Sequence, residues 1–134
     1  MEKSIPVETV TGYILYNDAL HLEKIVSTGV DWHFTAKLNG FNVTKNPTKK
    51  DWFDCEFTFQ NVNNFFYFDI GCEPDVVFTE NPSDPASFHI IENSNYIAAK
   101  LDYYQGNAEG YHHYRLKTTE FIFHIIAKDY ELKI

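Results

Sequence analysis

The chain has 134 residues, enough for one domain, and is 44% hydrophobic and 17% aromatic, a composition that excludes a disordered chain. No apolar run reaches the roughly 18–20 residues of a membrane helix, and 11 basic against 19 acidic residues exclude a nucleic-acid surface of the usual basic kind. The opening Met1-Glu2-Lys3-Ser4-Ile5-Pro6 holds no apolar signal core, and Cys55 and Cys72 form no CxxC pair, so the expected location is a reducing cytoplasm.

Hydrophobic period two dominates the chain in order. Val10 to Tyr16 reads as a strand, with Tyr13 and Leu15 on one face. Residues 18–27 fit either a strand or one short helix capped by Asp18 and stopped at Gly29, and the flanking strands favour the strand. From Val30 to Leu38 every even position is apolar, and Asn39-Gly40 then marks a turn. Asn81 to Pro85 reads as a loop. The alternation of Ile97, Ala99, Leu101 and Tyr103 with polar or small neighbours predicts a strand, broken between Gly106 and Gly110. Tyr111 to Lys117 is a further strand. Phe121 to Ala127, apolar on both faces, fits a strand covered on each side. About eight to ten short strands predict a single all-β domain over 1–134, an antiparallel β-sandwich or a partly open barrel.

The segment Trp52 to Cys72 carries the most information. Phe53, Cys55, Phe57 and Phe59 share one face of the first arm, and Phe66, Phe68, Ile70 and Cys72 share one face of the second. Folded about Asn61 to Asn64 as a hairpin, the two apolar sets meet, with Phe59 opposite Phe66 and Phe57 opposite Phe68. The other face then presents Trp52, Asp54, Glu56, Thr58, Phe65, Tyr67 and Asp69, with Glu56 opposite Asp69 and Glu73 just beyond. The two cysteines share the apolar face diagonally, which predicts buried thiols and no disulfide.

Charge is concentrated in the same region. Nine acids and no lysine or arginine lie between Lys50 and Lys100, whereas the rest of the chain balances at +1. An acidic field beside rigid aromatics suits the recognition of a basic protein, which it would steer and orient. The expected contact residues are Trp52 and Tyr67 as anchors, with Asp54, Glu56, Asp69, Glu73 and Asp75 pairing with the partner's cations. The competing expectation has this face covered by another part of the chain, with Lys37 or Arg115 pairing the acids.

No catalytic motif is present, so no enzyme activity is expected: there is no G-x-S-x-G, HExxH or P-loop, and the Asp69 to Asp75 loop lacks a calcium pattern. His112 and His113 point to opposite faces of their strand and cannot share a metal. Tyr111, His113 and Arg115 line one face and could hold an anion, and His124 in an apolar strand suggests a hydrogen-bonded core residue. Neither a metal nor a cofactor is expected.

In its size, acidity, aromatic-rich all-β pattern and lack of catalytic motifs, the chain resembles the small immunity proteins of bacterial polymorphic and contact-dependent toxin systems. The resemblance covers the whole chain, rests on no diagnostic motif and transfers no residue role. It implies a cytoplasmic inhibitor that binds a basic toxin domain without turnover and contacts neither nucleic acid nor membrane. The alternative expectation, also from aromatics flanked by carboxylates, is a small-ligand or carbohydrate-binding β-sandwich module.

Overall fold

A computed structural model describes residues 2–73, 84–103 and 110–134. Its strands are β1 (Lys3–Pro6), β2 (Leu20–Ser27), β3 (Trp32–Asn39), β4 (Trp52–Gln60), β5 (Asn64–Asp69), β6 (Phe88–Glu92), β7 (His112–Lys117), β8 (Phe121–Ala127) and β9 (Asp129–Lys133). One helix, α1, spans Asn95–Tyr103. The strands form two antiparallel sheets, β1-β6-β7-β8-β5 and β2-β3-β4-β9, packed as a sandwich. No helix among the described residues is long and apolar enough to cross a membrane.

The alternation in β3 and β4 does what period two requires. Phe34, Ala36 and Leu38 from β3 and Phe53, Cys55, Phe57 and Phe59 from β4 point into the space between the sheets. There they meet Phe88 of β6, Tyr114 and Leu116 of β7, and Phe123 and Ile125 of β8. Rings pack edge to face, Phe34 on Phe123 at 5.2 Å and Phe57 on Phe88 at 5.2 Å, an arrangement that the ring quadrupoles favour. Residues 18–27 hold the expected strand, β2, with a bulge between Leu22 and Lys24. Asn39-Gly40 does turn the chain. The Asn39 side chain accepts from Phe41 N, and a Cβ on Gly40 would come within 2.4 Å of the Lys50 carbonyl oxygen, so only glycine fits there.

Several expectations fail, the first because distant partners outweigh a local pattern. The Trp52–Cys72 hairpin does not form. β4 pairs with β3 and β9, and β5 pairs with β8 in the other sheet. The apolar face of β4 fits any neighbour that shares its register, and β3 supplies eight paired residues; the chain instead crosses between sheets at Asn61–Asn63. On β5 it is Phe65 that packs against the inter-sheet core, stacked on Trp32 at 4.9 Å, while Phe66 faces the other side of its sheet and stacks on His124 at 4.7 Å. Residues 97–103 are not a strand. They belong to α1, whose first turn is capped by Ser94, its Oγ accepting from Ile97 N at 3.2 Å. The spacing Ile97 to Leu101 is as compatible with one helical face as with alternation, and the serine cap decides the outcome. Residues 10–16, expected as a strand, make only isolated bridges, Gly12 to Thr9, Ile14 to Val43 and Leu15 to Ala86. The cysteines also part company: Cys55 is buried and Cys72 exposed, both as free thiols.

Candidate functional site

The expected contact residues divide between the two sheets. Trp52, Asp54 and Glu56 project from β4 on the outward face of the four-stranded sheet, where Trp52 is 48% exposed. Tyr67 and Asp69 are exposed on β5, the last strand of the other sheet. Glu56 therefore does not face Asp69: its cross-strand neighbours are Thr35 and Lys133, and that of Asp69 is Phe121. Asp75 lies outside the described residues.

Two of the acids are already paired, and with the cations that the competing expectation named. Lys37 Nζ donates to Asp54 Oδ1 at 2.6 Å, which lowers the aspartate pKa, first through the hydrogen bond and then through the lysine charge. Glu73, expected at the surface, turns inward instead. Arg115 donates to it from Nε at 2.9 Å and from a terminal guanidinium nitrogen at 2.5 Å, a two-pronged contact that matches the carboxylate's shape. Glu56 lies 3.3 Å from His33 Nδ1.

The Glu73 contact belongs to a larger buried array that the sequence only hinted at. On the outer face of the five-stranded sheet, β7 contributes His113 and Arg115 and β8 contributes His124, all at most 1% exposed. Ser94 Oγ lies 2.7 Å from His113 Nδ1, His113 Nε2 lies 2.8 Å from His124 Nδ1, and His124 Nε2 lies 2.7 Å from Glu73 Oε2. Phe66 of β5 stacks on His124, and Tyr96 of α1 packs on Phe66, so rings roof the array. A second pair, His89 Nε2 to Asp84 Oδ2 at 2.8 Å, sits on the same sheet.

The proton positions follow from the charges. Burial alone would raise the Glu73 carboxyl, but the hydrogen bonds from His124 and Arg115 outweigh it and hold the group down at about 2. Glu73 is therefore ionised and His124 Nε2 must donate to it. Neutral His124 then accepts at Nδ1 from His113 Nε2–H, which leaves His113 Nδ1 to accept the Ser94 hydroxyl proton. Burial, above all, pushes His113 down to about 3, consistent with a neutral ring. Every donor in the row points the same way, from serine to carboxylate.

The sequence signals for this array were the shared face of His113 and Arg115, expected to hold an anion, and His124, expected as a hydrogen-bonded core residue. His124 is such a residue, and the anion that Arg115 holds is the chain's own Glu73. Ser94 carried no signal, because its role depends on a helix that the alternation concealed. No group of three or more His, Cys, Asp or Glu side chains among the described residues could hold a metal ion.

Three exposed aromatics, Tyr16, Phe41 and Trp52, lie elsewhere. Asn39 pairs with Trp52 across β3 and β4, and the connection after it carries Phe41, 77% exposed. Asn42 Nδ2 donates to Asp18 at 2.8 Å and its carbonyl accepts from Leu15 N, which brings exposed Tyr16 to the same end of the sandwich. Tyr16, Phe41 and Trp52 thus lie toward one end of the sandwich, with Asp18 bonded there through Asn42, Asp51 bonded to Gly40, and Lys45, Lys49 and Lys50 in the segment that leads from Phe41 to Trp52. Comparison with protein families, with curated proteins and with solved structures gives no match for this chain.

Proposed function

We propose that the protein acts by binding, as an inhibitor of a basic protein partner such as a toxin domain, in the manner of the immunity proteins it resembles. The observation that supports this reading is the corner carrying Tyr16, Phe41 and Trp52. Large rings that a small sandwich leaves in water are the anchors that protein interfaces use. Trp52 and Asp54 keep the roles expected of them, Phe41 and Tyr16 join them, and Glu73 drops out because Arg115 and His124 occupy it. Glu56, Tyr67 and Asp69 lie away from this corner and serve as outlying charge and ring contacts. The mixed lysines at the corner make the rings the source of affinity, while the net charge of −8 steers the approach.

The test is co-purification with the product of the adjacent gene, followed by association kinetics at about 0.05 and 0.5 M salt. Steered binding slows by about tenfold or more across that range, and Trp52→Ala with Phe41→Ala speeds dissociation by at least about tenfold. A rate indifferent to salt, together with normal binding by the double variant, overturns the reading.

A further inference from the structure

The buried row from Ser94 to Glu73 has a polarity that structural satisfaction alone does not require. Its cleft-lining end is the serine hydroxyl, its next member an unprotonated imidazole nitrogen 2.7 Å away, and its far end an ionised carboxylate held by Arg115. The local chain path suits a nucleophile. Strand β6 ends at Glu92, Asn93 takes the left-handed conformation at φ 56°, Ser94 follows, and α1 begins at Asn95, so the serine stands at a sharp strand-to-helix turn. Beside it opens a cleft of about 670 Å³ lined by Ile90, Ile91, Ile97, Asn93, Asn95 and His113 among others, a mixture of aliphatic and amide side chains.

From this geometry we infer that Ser94 is a nucleophile for acyl transfer, with His113 as its base and His124, Glu73 and Arg115 as positioning residues. The site takes a short apolar acyl ester. Ser94 Oγ attacks the carbonyl carbon as its proton passes to His113 Nδ1. The ester C–O bond breaks and the departing alkoxide takes that proton, leaving an acyl-serine. Water then adds to the acyl carbon, gives a proton to His113 and releases the acid, and the proton returns to Ser94 Oγ. Ester and water become acid and alcohol with no other reactant. The His113 cation formed in passing is offset through His124 by Glu73, as in nucleophile, base and orienter arrays generally. Because burial holds His113 at about 3, it is a weak base that is never lost to protonation near neutrality, so activated acyl and phosphonyl groups are the substrates that reveal it.

The experiment incubates the intact chain with an alkyl fluorophosphonate and maps the adduct by mass spectrometry. In this reaction an O–P bond forms at Ser94, fluoride leaves and His113 takes the proton. A single adduct at Ser94 is expected, formed at a rate constant from about pH 5 to 8, where a base with the ordinary histidine pKa would lose activity below about 6.5. Ser94→Asn, which keeps a helix-capping acceptor and the fold, removes the adduct. Glu73→Gln, checked for folding by circular dichroism, slows labelling by roughly a hundredfold and leaves Trp52-dependent partner binding unchanged. p-Nitrophenyl butyrate hydrolysis follows the same order among the variants. No adduct at Ser94 in the folded chain, or labelling no faster than that of the urea-unfolded chain, overturns the assignment. Both outcomes are independent of whether a basic partner is found.

Discussion

The outer faces of the two sheets use the same ingredients, carboxylates beside lysine, arginine and histidine, to opposite effect. On the four-stranded sheet Asp54 and Lys37 pair in water, with the aspartate side chain 80% exposed. On the five-stranded sheet Glu73 and Arg115 pair largely out of water, with the Arg115 side chain 1% and the Glu73 side chain 12% exposed. Water screens the first pair and would replace either partner at little cost. The second pair lacks that substitute, so each member depends on the other. Two carboxylate–cation pairings thus differ in consequence through how far the fold withdraws each from water.

The sharpest way to break this contrast is to remove one buried partner. Arg115→Met leaves Glu73 ionised and uncompensated beside His124 and should cost about 3–5 kcal/mol, measured by urea unfolding. The double variant Arg115→Met/Glu73→Gln should recover part of that loss. If the single variant is as stable as the parent, the buried array is not what holds this face together.

Acid acts on the same array. His113 and Glu73 both bind fewer protons folded than unfolded, so their contribution is complete above pH 6.5 and declines as the pH falls. The window runs from 6.5 to about 3 for His113 and from 4.5 to about 2 for Glu73. Thermal melts should show a steep fall in Tm between pH 6 and 3, shallower in Arg115→Met/Glu73→Gln. A Tm flat through that interval would contradict the neutral state assigned to the buried rings.

Smaller still is Ser94→Ala, which removes the helix cap and should cost about 1 kcal/mol, with Ser94→Asn restoring much of it. At the bottom of the scale, Lys37→Met should leave Tm unchanged within error, since both partners stand in solvent. A clear loss there would erase the distinction between the two faces.

Much of the sandwich was legible in the pattern. The alternation of β3, the apolar face of β4 and the doubly apolar β8 each express a burial requirement that follows from side-chain direction on a strand. The hairpin was misread because Phe59 and Phe66 satisfy a local register as well as they satisfy separate distant neighbours, and period two does not say which strand lies alongside. Ile97 to Tyr103 was misread because small and mixed residues serve two periods at once. The charge of Glu73 was visible; its direction was not, since that depends on Arg115 lying 42 residues away.

By itself the sequence determined that this chain is acidic, aromatic and mostly β, and that Trp52, Asp54, Phe57 and their neighbours alternate between water and core. Those are properties of composition and of a two-residue period, carried by each segment alone. The tertiary structure alone decided that β4 and β5 belong to different sheets, that Glu73 turns inward onto Arg115 and His124, and that Ser94 meets His113. These depend on which strands become neighbours, a choice made by the packing energy of the whole core and by no segment within it.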